Sequence, residues 1–150
     1  MTDEILDGGK NSKVNTIFWV VGVIALLWNL AGVYAFVTDM MKGEEALALM
    51  SEAERALHEN NPMWHKMVYG IATIGGLLGS IALLMKKKWA VNLFLVSLIA
   101  VIIQFLYGFL GSNVKEVYGM VAVIFPIFIA IIAALLWYYA KKCDARGWLS

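Results

Sequence analysis

Residues 117–140 read VYGMVAVIFPIFIAIIAALLWYYA, a run without a single Asp, Glu, Lys, Arg or His. An α-helix needs about 20 mostly apolar residues to cross a bilayer core of about 30 Å, and this run is longer than that. Pro126 stands inside it. A proline there would damage an exposed soluble helix, whereas in a membrane neighbouring helices satisfy the freed backbone groups. The stretch reads as a membrane span, and it sets the frame for the rest of the chain.

Three more such stretches lie upstream. Residues 16–38 are apolar apart from Asn29. Residues 67–85 are uncharged and glycine-rich, and residues 89–110 carry only Asn92, Ser97 and Gln104 as polar interruptions. With the fourth they predict an all-α integral membrane protein, a four-helix antiparallel bundle of one domain over residues 1–150. Composition agrees: 61% of residues are hydrophobic and 15% charged, where a soluble domain has about half and about a quarter. Residues 1–13 are polar and are expected to be disordered. The first span follows two lysines, and Val33-Tyr34-Ala35 resembles a signal-peptidase site. Its apolar run is nevertheless long for a signal segment of about 7–15 residues, so it is expected to stay as an anchor.

Lysine and arginine orient the bundle. Eight lie before span one, between spans two and three, or after span four; four lie on the other side, beside seven acidic residues. The positive-inside bias predicts cytoplasmic termini and a cytoplasmic Lys86-Lys87-Lys88 turn. Aromatic residues at both expected boundaries fit the same frame: Trp89, Trp137, Tyr138 and Tyr139 inside, and Trp64, Tyr69, Tyr107 and Tyr118 outside. A net charge of +1 without a basic block gives no reason to expect nucleic acid. The single cysteine, Cys143, has no partner for an internal disulfide and falls on the side expected to be reducing.

The outer connection between spans one and two has helical periodicity from residue 44 to 59. Ala46, Leu47, Leu49, Met50, Ala53, Ala56 and Leu57 share one half of a wheel. Glu44, Glu45, Ser51, Glu52, Glu54, Arg55, His58 and Glu59 fall mostly on the other. This predicts an amphipathic outer helix, with Leu47, Met50 and Leu57 its most buried side chains, ended by Asn60-Asn61-Pro62. Its acidic polar face could serve a partner outside the membrane.

Small and polar residues recur every three or four positions in each span, so each set lines one helix face. The sets are Gly22, Ala25, Asn29, Gly32; Thr73, Gly76, Ser80; Ser97, Ala100, Gln104, Gly108; and Gly119, Ala122, Pro126, Ala130, Ala133. Lipid gives helices no hydrophobic reason to associate, so close packing through small residues must hold them. Gly75 and Gly79 add a G-x-x-x-G pair beside the second stripe, suited to packing within the chain or to dimerisation. At 1.5 Å per residue Asn29, Thr73, Gln104 and Pro126 each lie roughly 20 Å along their helices from the cytoplasmic end. Three polar side chains and the carbonyl that Pro126 frees thus share a level, either as a structural hydrogen-bond layer or as the floor of a small pocket open to the outside. Ser80 and Ser97 form a lesser pair nearer the cytoplasm.

No ionisable residue other than tyrosine lies within a span core, which weighs against proton- or ion-driven transport. No nucleotide-binding loop, metal-protease motif or nucleophile with a base is present, so neither an enzyme nor a cofactor is expected. His58 and His65 lack helical ligand spacing and read as surface or interfacial residues; no metal site is expected.

Several short stretches carry a resemblance: Trp28-Asn29-Leu30, Glu52-Ala53-Glu54-Arg55-Ala56-Leu57, Pro62-x-Trp64, Gly75-Gly76-Leu77-Leu78-Gly79, the lysine turn into Trp89-Ala90, Glu116-Val117-Tyr118-Gly119, and Gly147-Trp148-Leu149. From about residue 16 onward the chain resembles a family of small bacterial four-helix inner-membrane proteins, mostly uncharacterised, some carrying a "sugar transporter" label. The resemblance implies the fold and a multi-pass place in a bacterial inner membrane, and it transfers no catalytic residue. The sequence thus suggests a non-enzymatic component that packs in the bilayer against itself or a larger membrane complex. The alternative is an oligomeric small-solute transporter or permeability factor using the Asn29, Thr73 and Gln104 level.

Overall fold

A computed structural model describes residues 14–150, so the disorder expected for residues 1–13 lies outside the described residues. The chain is an all-α, four-helix membrane bundle. Its elements are α1 (Thr16–Met40), α2 (Glu44–Ala48), α3 (Glu52–Glu59), α4 (Met63–Leu84), α5 (Trp89–Leu106), α6 (Val114–Tyr118) and α7 (Val121–Ala145). A π-helical turn, Tyr107–Gly111, continues α5. The spans α1, α4, α5 with its π turn, and α7 are each long and apolar enough to cross a membrane.

Local chemistry sets the boundaries. Asn15 starts α1, its side-chain oxygen accepting from the Phe18 N–H at 2.9 Å. Asp39 extends the helix two residues past the expected end and pairs with Lys42 at 2.8 Å. Pro62 precedes α4, which begins a turn earlier than hydropathy alone suggests. At the opposite end of α4, Lys86 takes a φ of 58°. Its N–H donates to the Leu83 carbonyl and the Lys87 N–H to that of Ala82, the paired bonds of a Schellman cap. Gly147 (φ 76°) ends α7 the same way, with bonds from Gly147 to Asp144 and from Trp148 to Cys143.

The two caps meet. The Ser150 N–H donates to the Lys86 carbonyl at 2.8 Å, and the Lys88 N–H donates to that of Ser150 at 3.1 Å. Trp148 and Leu149 are thereby folded into the main core with Phe18, Ala82, Leu83, Ala90, Phe94, Ala140 and Cys143. That core lies at the lysine-rich end of the bundle. Only a small cluster of Ala72, Ala100 and Val101 continues it toward the loop end.

Three expectations change. The outer segment is helical but in two pieces, because Ser51 interrupts it. Its hydroxyl accepts from the Glu54 N–H while the Glu54 carboxylate accepts from the Ser51 N–H, each at 3.2 Å, a capping box that starts a second helix. The break changes the wheel. Leu47, Met50 and Leu57 are half-buried, whereas Leu49 is 90% exposed and Ala53 and Ala56 face outward. Arg55, read as part of the polar face, folds back to donate twice to the Leu47 carbonyl at 3.1 Å.

The fourth span begins at Val121 rather than at residue 117 and continues to Ala145. Gly119, expected in a packing stripe, instead ends α6 with φ 72°, a conformation that side chains strain to adopt, and it packs against nothing. Gly108 likewise falls in the π turn, with open space where a Cβ would stand.

The glycines of the first two stripes pack helices. Gly22 faces the Leu84 side chain, and Gly32 lies in ordinary contact with Thr73. Gly75 lies against Ser97 and the Leu93 backbone, and Gly79 against the Phe94 ring, so this G-x-x-x-G pair joins α4 to α5 within one chain. Close packing runs α1 to α4, α4 to α5, and α5 to α7. The seam between α1 and α7 is looser, bridged by side chains such as Trp28 and Phe128, whose rings are 6.0 Å apart.

Candidate functional site

Because α7 does not close on α1, space remains between the spans from the loop end down to the edge of the main core. A cavity of about 490 Å³ lies between all four spans. Asn29, Thr73, Gln104 and Pro126, from four different helices, all line it.

They do not form one hydrogen-bonded layer. Asn29 is 9% exposed, and its amide donates to the Ala25 carbonyl at 2.8 Å and to Ser80 Oγ at 3.0 Å. Ser80 in turn donates to the Gly76 carbonyl at 2.9 Å. Gly76 leaves room for the Asn29 carbonyl oxygen, which a methyl there would strike. Thr73 donates back to Tyr69 and Gly70 in its own helix, at 3.1 and 3.2 Å. The Gln104 amide makes no hydrogen bond to another described residue. Pro126 deprives the Ala122 carbonyl of its usual helical donor, and both residues border the cavity. Ser80 and Ser97 do not pair either: Ser97 crosses from α5 to donate to the Ala72 carbonyl of α4 at 2.6 Å. Asn29 thus stands level with Gly76 and Ser80, and Thr73 level with Gly32, so the two are offset along the bundle.

Apolar and aromatic groups dominate the walls, among them Trp28, Phe94, Phe105, Phe125 and Ile129. A second, polar cleft of about 700 Å³ lies at the loop end, between the end of α1, the α3 region and the π turn. Asp39, Lys42, Glu54, His58, Asn60 and Asn61 help to line it. His65, Gly108 and Val114 belong to the walls of both spaces.

His65 is thus not a surface residue. It is half-buried, its ring lies 4.4 Å from that of Tyr107, and its nitrogens have no well-aligned partner among the described residues, although the Gln104 backbone lies beside the ring. Asn61 Oδ1 in the cleft wall is buried and unpartnered as well. The nearby Tyr118 phenol is held above its ordinary pKa first by burial, then by Glu54, with Lys42 opposing and Asp39 adding. Sequence reasoning missed His65 because a histidine at the edge of an apolar run looks interfacial; its one signal was the flanking Trp64. Among the described residues no three His, Cys, Asp or Glu side chains cluster as metal ligands would.

Comparison with known proteins found no matching family model, curated protein or solved structure.

Proposed function

We propose that this chain is a non-enzymatic, multi-pass protein of a bacterial inner membrane that holds an uncharged small molecule between its spans. The observation that carries this is the cavity walled by all four spans, with the Gln104 amide left free in it. Pockets of 300–1,000 Å³ with apolar walls and a few placed polar groups are the usual form of a small-molecule site. A purely packing component has no use for such a space, so the cavity favours the small-solute alternative over the packing role. The apolar walls and the absence of Asp, Glu, Lys and Arg among the described wall residues favour a neutral occupant.

Thermal unfolding of the purified protein against a panel of neutral compounds tests this. A ligand at a hundred times its Kd adds about 2.7 kcal/mol, which should raise the melting temperature by several degrees. Ala133→Phe, which fills the cavity, should abolish the gain. If no compound stabilises the wild type, and Ala133→Phe supports growth or phenotype equally well, the packing role is the better reading.

Both termini are assigned to the cytoplasm on the eight-to-four distribution of lysine and arginine. An impermeant thiol reagent applied to intact cells should label Glu52→Cys and leave Lys87→Cys untouched. The reverse pattern would invert the bundle.

A further inference from the structure

The shape of the two adjoining spaces narrows the ligand. On α7 the cavity wall runs from Ala122 to Leu136, about 21 Å along a helix rising 1.5 Å per residue. About 490 Å³ of space drawn out over that length is narrow rather than compact, a shape that suits an extended hydrocarbon chain. The slot has a side opening. Ala31, Ala35 and Phe125, all exposed, line it on the two helices that do not pack closely, which places the opening at that seam. Phe125 is 56% exposed. At its loop end the slot adjoins the polar cleft across His65, Gly108 and Val114.

Resting on the small-molecule reading above, we propose that the ligand is a single-chain amphiphile with an uncharged, hydrogen-bonding head. Its chain lies in the slot and its head sits in the cleft. Behind the cleft wall lie three atoms without a well-aligned partner among the described residues, Asn61 Oδ1 and the two ring nitrogens of His65, which a head would meet once those side chains turn into the cleft. A buried polar atom without a partner costs free energy that a ligand group can recover. Asp39 is already paired with Lys42, and Glu54 forms no ion pair with a described residue, which disfavours a carboxylate or phosphate head. The side opening between α1 and α7 lets a chain enter from the bilayer without drawing its head through hydrocarbon. The π turn widens α5 where slot meets cleft, a position at which such turns often accompany function.

The test is photolabelling of the full chain in nanodiscs with a monoacylglycerol whose acyl chain carries a diazirine. The expected result is saturable labelling of peptides containing Phe94, Ile129 or Leu136, competed by unlabelled monoacylglycerol and at least tenfold less well by the fatty acid of equal length. Ala133→Phe should abolish this labelling. His65→Phe, which keeps a ring but loses both nitrogens, should weaken it about threefold to tenfold, as for one or two neutral hydrogen bonds. Unfolding and elution identical to wild type establish that each variant is folded. Unsaturable labelling of bilayer-facing residues such as Ile17 or Leu135 would overturn the proposal. So would equal competition by fatty acid or nanodisc phospholipid, which would make the occupant a bilayer acyl chain. If the proposal fails while a compact neutral solute still stabilises the wild type and not Ala133→Phe, the small-molecule reading survives alone. If no compound does so, both fail.

Discussion

Trp148→Ala should lower unfolding stability by about 3–5 kcal/mol, the cost of emptying a buried aromatic site. Trp148 is only 8% exposed. Its ring meets the fully buried Phe18 edge-on at 5.9 Å, and the Arg146 guanidinium lies over it at 5.1 Å. The residue also carries a structural joint: its own N–H closes the α7 cap on Cys143, and two residues later Ser150 bonds the lysine turn between α4 and α5. Losing the side chain therefore opens the main core and loosens the contact between the α7 tail and that turn. Trp89, 51% exposed at the same end, is the control, and Trp89→Ala should cost under 1 kcal/mol. Equal losses in reversible denaturant titrations of the two variants would contradict this account of the core.

The second large effect should separate three neighbouring glycines of α4. Gly79→Ala would set a methyl 2.9 Å from the Phe94 ring, and that buried ring would have to leave its packing and shift toward the cavity it borders. Gly76→Ala would drive the Asn29 amide off its bonds to Ala25 and Ser80. Overpacking of this kind costs about 1–3 kcal/mol, against which the better helix propensity of alanine returns only about 0.5–1. At Gly75 the nearest atom, Ser97 Cβ, would stand at 3.6 Å, an ordinary contact. Gly75→Ala should therefore be neutral or slightly stabilising. A series in which all three alanines behave alike would mean that α4 and α5 do not meet as described.

These contrasts mark how far the primary structure could be read. Spans, their number and their antiparallel order follow from hydropathy alone, because the bilayer imposes one length and one polarity on any helix that crosses it. The stripes of small residues on α1, α4 and α5 were legible for a related reason: without a hydrophobic force between helices, close contact selects small side chains on one face. The same pattern on α7 misled. Ala122, Pro126 and Ala133 border the cavity instead of seating a neighbouring helix, and the only buried residues of α7 are Ala140 and Cys143 at its end.

The candidate site was legible only in part. Asn29, Thr73, Gln104 and Pro126 could be placed at one depth, since rise per residue is a local property. Which of them would find partners depends on how the helices are set against one another: Asn29 meets Gly76 and Ser80, while Thr73 lies farther along α4, against Gly32. The breaks at Ser51, Gly119 and the π turn escaped for another reason. Each exchanges continuous helix for local caps or turns, a difference of about 1 kcal/mol that periodicity does not register.

By itself, then, the sequence determined a four-span membrane bundle and the residues able to face its interior, because burial in lipid acts on every residue of a span. The tertiary structure alone decided that the bundle closes at its lysine-rich end and stays open beside His65. That choice rests on packing between elements distant in the chain: the Gly147–Ser150 tail on the lysine turn at one end, and the unclosed seam of α1 and α7 at the other.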